Sequence, residues 1–199
     1  MNYNKFRRLM KNKYALSTVV TTLIILVISV LLASVVTYFA INVVSTRVQE
    51  ESLALTKQHV WFSQDGTQAA LMIINTGGRD VVIQKFAIRG QTVAWDNVFY
   101  ATTDKAVSAD LDCQAGTVAA ADFAVSDVDA HALSFINAED SLTLRSGYSM
   151  VLYINTPDSI TINDVGLTVS ITLNTAQAMY YVESNVQAFV APPAQQGGG

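Results

Sequence analysis

The stretch YALSTVVTTLIILVISVLLASVVTYFAINVVST, residues 14–46, holds 33 consecutive positions without a charged side chain, most of them Val, Ile, Leu, Thr, Ser or Ala. As an α-helix it spans about 50 Å at ~1.5 Å per residue, whereas a bilayer core requires only about 20 apolar residues. It reads as a membrane span that is longer than spanning demands. The β-branched residues lower its intrinsic helix propensity, but in hydrocarbon a single segment can satisfy its backbone only as a helix.

The flanks set its direction. Lys5, Arg7, Arg8, Lys11 and Lys13 precede the run with no acid among them, and Arg47, Glu50 and Glu51 follow it. Positive charge is retained in the cytoplasm, so the N-terminus is expected inside and about 150 residues outside. A cleaved secretory signal would have an apolar region of about 7–15 residues ending in a small-residue site. Here Ala33 and Ala40 lie deep within a much longer run.

Beyond the run, Val48, Ser52 and Leu55 continue the helical spacing, so the helix is expected over residues 16–56. From Lys57 the period changes to two. Strands are expected at residues 59–63, 69–74, 81–88, 92–100, 141–144, 149–154, 159–162, 167–173 and 178–189, with Asp65-Gly66, Asn75-Thr76-Gly77-Gly78, Arg89-Gly90, Ser146-Gly147, Thr156-Pro157-Asp158 and Asn163-Asp164 as turns. Eight or nine short strands after one long helix give an α+β chain: a hydrophobic N-terminal helix followed by an all-β, Ig-like sandwich. The expected organisation is a leader at 1–15, the helix at 16–56, the sandwich at 57–191 and a flexible tail at 192–199. Residues 101–138, rich in Ala and Asp and weakly periodic, read as a long, solvated surface loop within the sandwich.

Composition narrows the function. Charged residues are 14% of the chain, against about 25% in ordinary soluble proteins. Without residues 1–15 the chain has 7 cations against 16 acids, a formal charge of −9, which speaks against nucleic acid as a partner. No G-x-S-x-G elbow, phosphate-cradling glycine loop, H-E-x-x-H helix or Cys-His pair is present, so the chain reads as a non-enzyme without cofactors. Neither His59 nor His131 has another His or Cys at metal-ligand spacing. Asp110-Leu111-Asp112 and Asp127-Val128-Asp129 could supply oxygens to calcium, yet lack the glycine and downstream Glu of an EF-hand loop. Cys113 is the single cysteine, so no intrachain disulfide is possible.

The span carries one further pattern. Thr18, Thr22, Ser29, Ala33, Thr37 and Ala40 are separated by 4, 7, 4, 4 and 3 residues, which at about 100° per residue places them within a sector of about 100°. Small and weakly polar residues on one stripe let helix backbones approach closely. The stripe is a candidate surface for packing against copies of the same helix.

At Lys11-Asn12-Lys13-Tyr14-Ala15-Leu16-Ser17-Thr18-Val19-Val20 the sequence resembles the class III signal of archaeal type IV pilins and, more distantly, archaellins. The resemblance covers the first 45 residues by motif and most of the chain by organisation. It implies cleavage at Ala15-Leu16 by a prepilin-peptidase-like protease on the cytoplasmic side, with Arg7, Arg8, Lys11 and Lys13 as leader charges and a cut after Tyr14 as the alternative. The Glu that bacterial pilins usually carry at the fifth mature position is here Val20; archaeal members commonly lack that Glu. The segment around Asn75-Thr76-Gly77 also looks like a turn of the β-domains of this family.

By that resemblance the chain is expected to be a structural subunit of an archaeal adhesion pilus. It would be held in the cytoplasmic membrane as a precursor, and assembled by a pilus ATPase and membrane platform into a helical homopolymer at the cell surface. An archaellin, or a monomeric signal-anchored extracellular binding domain, is the alternative. No Asn-x-Ser/Thr sequon occurs, so any glycan would be carried on Ser or Thr.

Overall fold

The computed structural model describes residues 13–48, 50–114, 116 and 119–190. The chain divides into two compact units, Met1–Arg47 and Val48–Gly199. The expected architecture is present: one long apolar helix, then a sheet-rich, sandwich-like domain of ten strands.

Helix α1 spans Lys13–Val48 without a break, as expected for a segment with no Pro or Gly to interrupt it. Its end corrects the expected boundary at 56. Glu50 and Glu51 lie outside helix and strand, and Leu53 already begins the first strand. The β-domain captures this segment: the amides of Thr76 and Gly77 donate to the Ser52 carbonyl at 2.9 and 3.0 Å. The Thr175 hydroxyl meets the Glu51 carboxylate at 2.5 Å. These bonds compete with the i to i−4 bonds that Ser52 and Leu55 would make in a longer helix.

Gly77 is required at this clasp. A Cβ there would lie 2.7 Å from the Glu50 carbonyl oxygen and 2.8 Å from the Ser52 amide nitrogen, both backbone atoms. Asn75, 1% exposed, holds the turn from beneath. Its Nδ2 donates to the carbonyls of Arg79 and Leu144, and its Oδ1 accepts from the Gly77 amide at 3.0 Å.

The strands are β1 (Leu53–Ser63), β2 (Gly66–Asn75), β3 (Val81–Ile88), β4 (Gln91–Thr92), β5 (Val98–Thr103), β6 (Ile136–Asn137), β7 (Leu142–Leu144), β8 (Ser149–Asn155), β9 (Thr168–Thr175) and β10 (Met179–Ala188). One layer runs β1-β2-β8-β5-β6 and the other β10-β9-β3-β4, with β7 also on β3. Strand β10 joins them: residues 179–185 pair antiparallel with β9, then Val186, Gln187 and Ala188 pair parallel with β1.

Three expected strands differ. The first starts at Leu53 rather than 59, because a bulge between Thr56 and His59, with Lys57 at φ 53°, interrupts the alternation. The segment 92–100 is broken by a 3₁₀ turn at Trp95–Asn97. The segment 159–162 is a turn, capped where Thr161 and Asp164 bond reciprocally.

Two apolar clusters flank the first layer. Between the layers, Leu71, Ile73, Leu152 and Ile154 pack with Ile83, Phe86, Ile171 and Leu173. On the opposite face, Met72, Phe99, Val151 and Tyr153 pack with Val107, Leu111, Phe123, Val125 and Phe135. Strand β8 is therefore buried on both sides, which explains its unbroken apolar run.

The second cluster overturns the expectation that 101–138 is a solvated loop. Its first residues belong to β5, and the rest folds over the sheet through a 3₁₀ turn at Ala120–Asp122, a bridge between Ser126 and Ala132, and β6. Phe123 anchors it, with ring centroids 5.0 Å from Phe99, 5.3 Å from Phe135 and 4.9 Å from Tyr153. Burying each such aromatic contributes about 1.5–3 kcal/mol.

Polar groups lock the same cover. Buried Gln68 donates to Asn155 Oδ1 at 2.8 Å and accepts from the Gln114 amide at 2.6 Å. Gln114 donates in turn to the Tyr153 hydroxyl, which donates to the Asp112 carbonyl at 3.1 Å. Burial raises the Tyr153 pKa far above the ordinary phenol value, so it remains a neutral donor.

Candidate functional site

The largest uncompensated feature is α1 itself. Within Ser17–Thr46 the most apolar 18-residue window has a mean hydropathy of 2.9, and none of that window is buried. Large apolar side chains stand exposed on every side, from Val43 at 45% to Tyr38 at 72%. A soluble helix would hide an apolar stripe against its own domain and present a polar face to water. This helix has no polar face, and it is long and apolar enough to cross a membrane.

The stripe residues Thr18, Thr22, Ser29, Ala33, Thr37 and Ala40 all lie on α1 and are all exposed. Thr22 donates to the Val19 carbonyl at 2.9 Å, and Ser29 to the Ile25 carbonyl at 2.7 Å. Thr21, Ser34 and Thr46, off the stripe, bond back to the carbonyl four residues earlier in the same manner. These five hydroxyls are satisfied within the helix, on the stripe and off it alike. What sets the stripe apart is small size. Ala15, Leu16 and Lys13 lie in the first turns of α1, while Arg7, Arg8 and Lys11 fall outside the described residues.

Several polar groups of the β-domain are engaged in holding it together. His59 Nε2 lies 3.0 Å from Asp110 Oδ1, and its ring stacks on Trp61 at 5.0 Å. The hydrogen bond from His59, then that from the Leu111 amide, keeps the Asp110 carboxyl below its usual range. Lys57 Nζ donates to the carbonyls of Ser108 and Ala109. These contacts fasten the covering segment to β1. Asp164, 5% exposed, is kept below the usual carboxylate range chiefly by the hydroxyl and amide of Thr161 and further by Arg89, whose Nη1 lies 2.6 Å away.

The structure adds His131 to the Asp127–Asp129 pair that sequence spacing offers as oxygen ligands. Carboxylate oxygens of Asp127 and Asp129 and a ring nitrogen of His131 lie within 4.8 Å of one another. Asp127 Oδ1 accepts from the amides of Asp129 and His131, both at 2.9 Å, and Lys105 Nζ stands 3.3 Å from Asp129. The set is an exposed turn already furnished with a cation. Of the other acidic pair, Asp110 faces His59, and the Asp112 carbonyl accepts from the Tyr153 hydroxyl. Cys113 is half-buried against that same cluster.

No protein-family model and no curated protein matches the chain. Among solved structures, it is similar to a family 123 glycoside hydrolase from Clostridium perfringens at TM-score 0.32 and 11% identity, over 70% of this chain and 27% of that one. The ligand-binding region of serine-glutamate repeat protein A of Enterococcus faecium gives TM-score 0.30 and 8% identity, over 72% of this chain and 100% of that one. The periplasmic chaperone SfaE gives 0.28 and 12%, over 72% and 61%. The chain spans about a quarter of the length of the hydrolase. At these scores the likenesses carry no argument about activity or partners.

Proposed function

We propose that this chain is a structural subunit of a surface filament of the archaeal type IV pilus kind. Its helix crosses the cytoplasmic membrane in the precursor, N-terminus inside, and packs with copies of itself after the leader is cut. The carrying observation is α1: a helix of 36 residues, apolar on all sides and without cover from Ser17 to Thr46. As a lone anchor it exceeds the bilayer and must tilt or distort it. In a bundle of such helices the whole length is buried.

Contacts between neighbouring copies in such a polymer are heterologous and need not close, which generates an open helical filament. The stripe from Thr18 to Ala40 supplies the close approach, and the β-domains form the outer layer. Removal of the basic leader by a prepilin-peptidase-like protease releases the N-terminus from the cytoplasmic leaflet. A pilus ATPase and membrane platform supply the work of extraction. Attachment of the cell to a surface is the role this architecture serves.

The test is to shear filaments from cells expressing the chain and read the N-terminus of their subunit. The proposal requires a subunit beginning at Leu16. Retention of the protein in detergent-extracted membranes with residues 1–15 intact contradicts it.

A further inference from the structure

Two adjoining depressions open at the end of the sandwich opposite the chain's point of arrival. Leu53, Asn75 and Ser149 share one end of the first layer, and Ser63, Gly66, Asn155 and Val98 share the other. At that second end, a depression of about 220 Å³ is lined by Asp65, Asp96, Asn97, Asn137 and Asn155 among others. A second, of about 100 Å³, continues past Asn97 and Thr156 toward Gln91, Thr92 and Asp158. Asn97 and Thr156 belong to both, forming the ridge between them.

The lining is mixed. Phe99 adds an apolar wall to the larger depression, and Val93, Ala94 and Pro157 add one to the smaller; carboxamides, hydroxyls and carboxylates make up most of the other lining side chains, with no Lys, Arg or His among the described residues of either. A phosphate, sulfate or uronate would meet Asp65, Asp96 and Asp158 without a compensating cation. An apolar ligand would strand the same polar groups. A ligand rich in hydroxyls fits, because each hydroxyl both donates to a carboxylate and accepts from a carboxamide.

Part of the set is rigid and part is uncommitted. Asn137 is fixed by its Nδ2 donating to the Asp96 carbonyl at 3.0 Å, which leaves its Oδ1 as an acceptor. Asn155 is fixed by Gln68. Asn97, half-buried on the ridge, makes no side-chain hydrogen bond among the described residues. Thr156 holds the ridge with φ at +43°, a conformation a β-branched residue rarely adopts. Its amide donates to the Thr67 carbonyl at 2.8 Å, tying the two rims together.

We infer that this paired groove is a binding site for a neutral saccharide, with Asn97 and Asn137 as its central recognition groups. The site belongs to the β-domain of each copy and does not rest on whether copies assemble.

The test uses the full chain in detergent micelles on an array of neutral hexose and N-acetylhexosamine oligosaccharides, with uronate-containing, sulfated and oligolysine probes alongside. Wild type should bind at least one neutral oligosaccharide, at a level insensitive to salt. Asn97→Ala, which removes no intramolecular side-chain bond, should lower that association constant at least tenfold while leaving the thermal midpoint in place. Asn137→Ala should also lower the association constant, with a small drop in midpoint from the lost bond to Asp96, and Lys85→Ala, outside the groove, should not. Absence of neutral-sugar binding, preference for the acidic or oligolysine probes, or undiminished binding by Asn97→Ala each overturns the assignment.

Discussion

Helix α1 and the β-domain treat apolar residues in opposite ways. In the β-domain, β8 buries Met150, Leu152 and Ile154 on one face and Val151 and Tyr153 on the other, each with partners from its own chain. In α1, Leu23, Leu31, Val35 and Ile41 are each at least 60% exposed. One unit buries its apolar residues against its own chain, whereas the other leaves them uncovered; under the proposed function, lipid and then neighbouring copies supply that cover.

A matched pair of substitutions gives the largest contrast. Leu31→Lys places a charge midway along α1, at a cost of about 3 kcal/mol for insertion at a bilayer centre, and should abolish both membrane retention and filaments. Leu167→Lys changes an apolar residue of the β-domain with comparable exposure, 52% against 60%, and should alter stability by no more than about 0.5 kcal/mol. Fractionation and denaturation of both variants check this. Equal effects would remove the distinction.

The second test asks whether residues 101–138 belong to the complete unit. Phe123→Ala should cost about 3–5 kcal/mol, measured by denaturant unfolding of the full chain in detergent. A solvated loop would show almost none of that loss. Next in size, Gly77→Ala should cost about 1–3 kcal/mol, because backbone atoms of Glu50 and Ser52 must shift to admit the methyl. If the midpoint is unchanged, the clasp at the head of the β-domain is looser than described.

A subtler packing change concerns α1 alone. Ala33→Leu thickens the small-residue stripe and should reduce the yield of sheared filaments severalfold, with the β-domain midpoint unchanged. The smallest effect is an acid one. Asp110 and Asp164 have lowered pKa values when folded, so they stabilise the fold above their unfolded values, near 4. That contribution is lost as pH falls through the lower folded values. Asp164→Asn should therefore flatten the decline in thermal midpoint below about pH 4 and leave α1 helicity untouched, as read by circular dichroism.

The two units were also legible to different degrees. Helix α1 could be read because an uncharged, apolar run of that length without Pro or Gly favours one continuous helix. Most strands showed through their alternation: β3 and β9 hide Ile83, Ile171 and Leu173 while Gln84 and Thr172 turn outward. The helix end was not visible, because Val48, Ser52 and Leu55 suit a helix locally and only the distant turn at Asn75, Thr76 and Gly77 overrides them. The cover over β8 was hidden for a similar reason. Val107, Leu111, Phe123, Val125 and Phe135 enter the core singly from irregular backbone, which leaves no period to detect. The Asp127–Asp129 pair is legible from its spacing, whereas His131 joins it only through the tight turn.

Helical reconstruction of filaments sheared from cells expressing the chain tests the central claim most directly. The account predicts α1 helices packed side by side along the filament axis, with the Thr18 to Ala40 stripe at the closest helix–helix contacts and the β-domains outside. Filaments whose core excludes α1, or a chain that remains a monomer in the membrane, would contradict it.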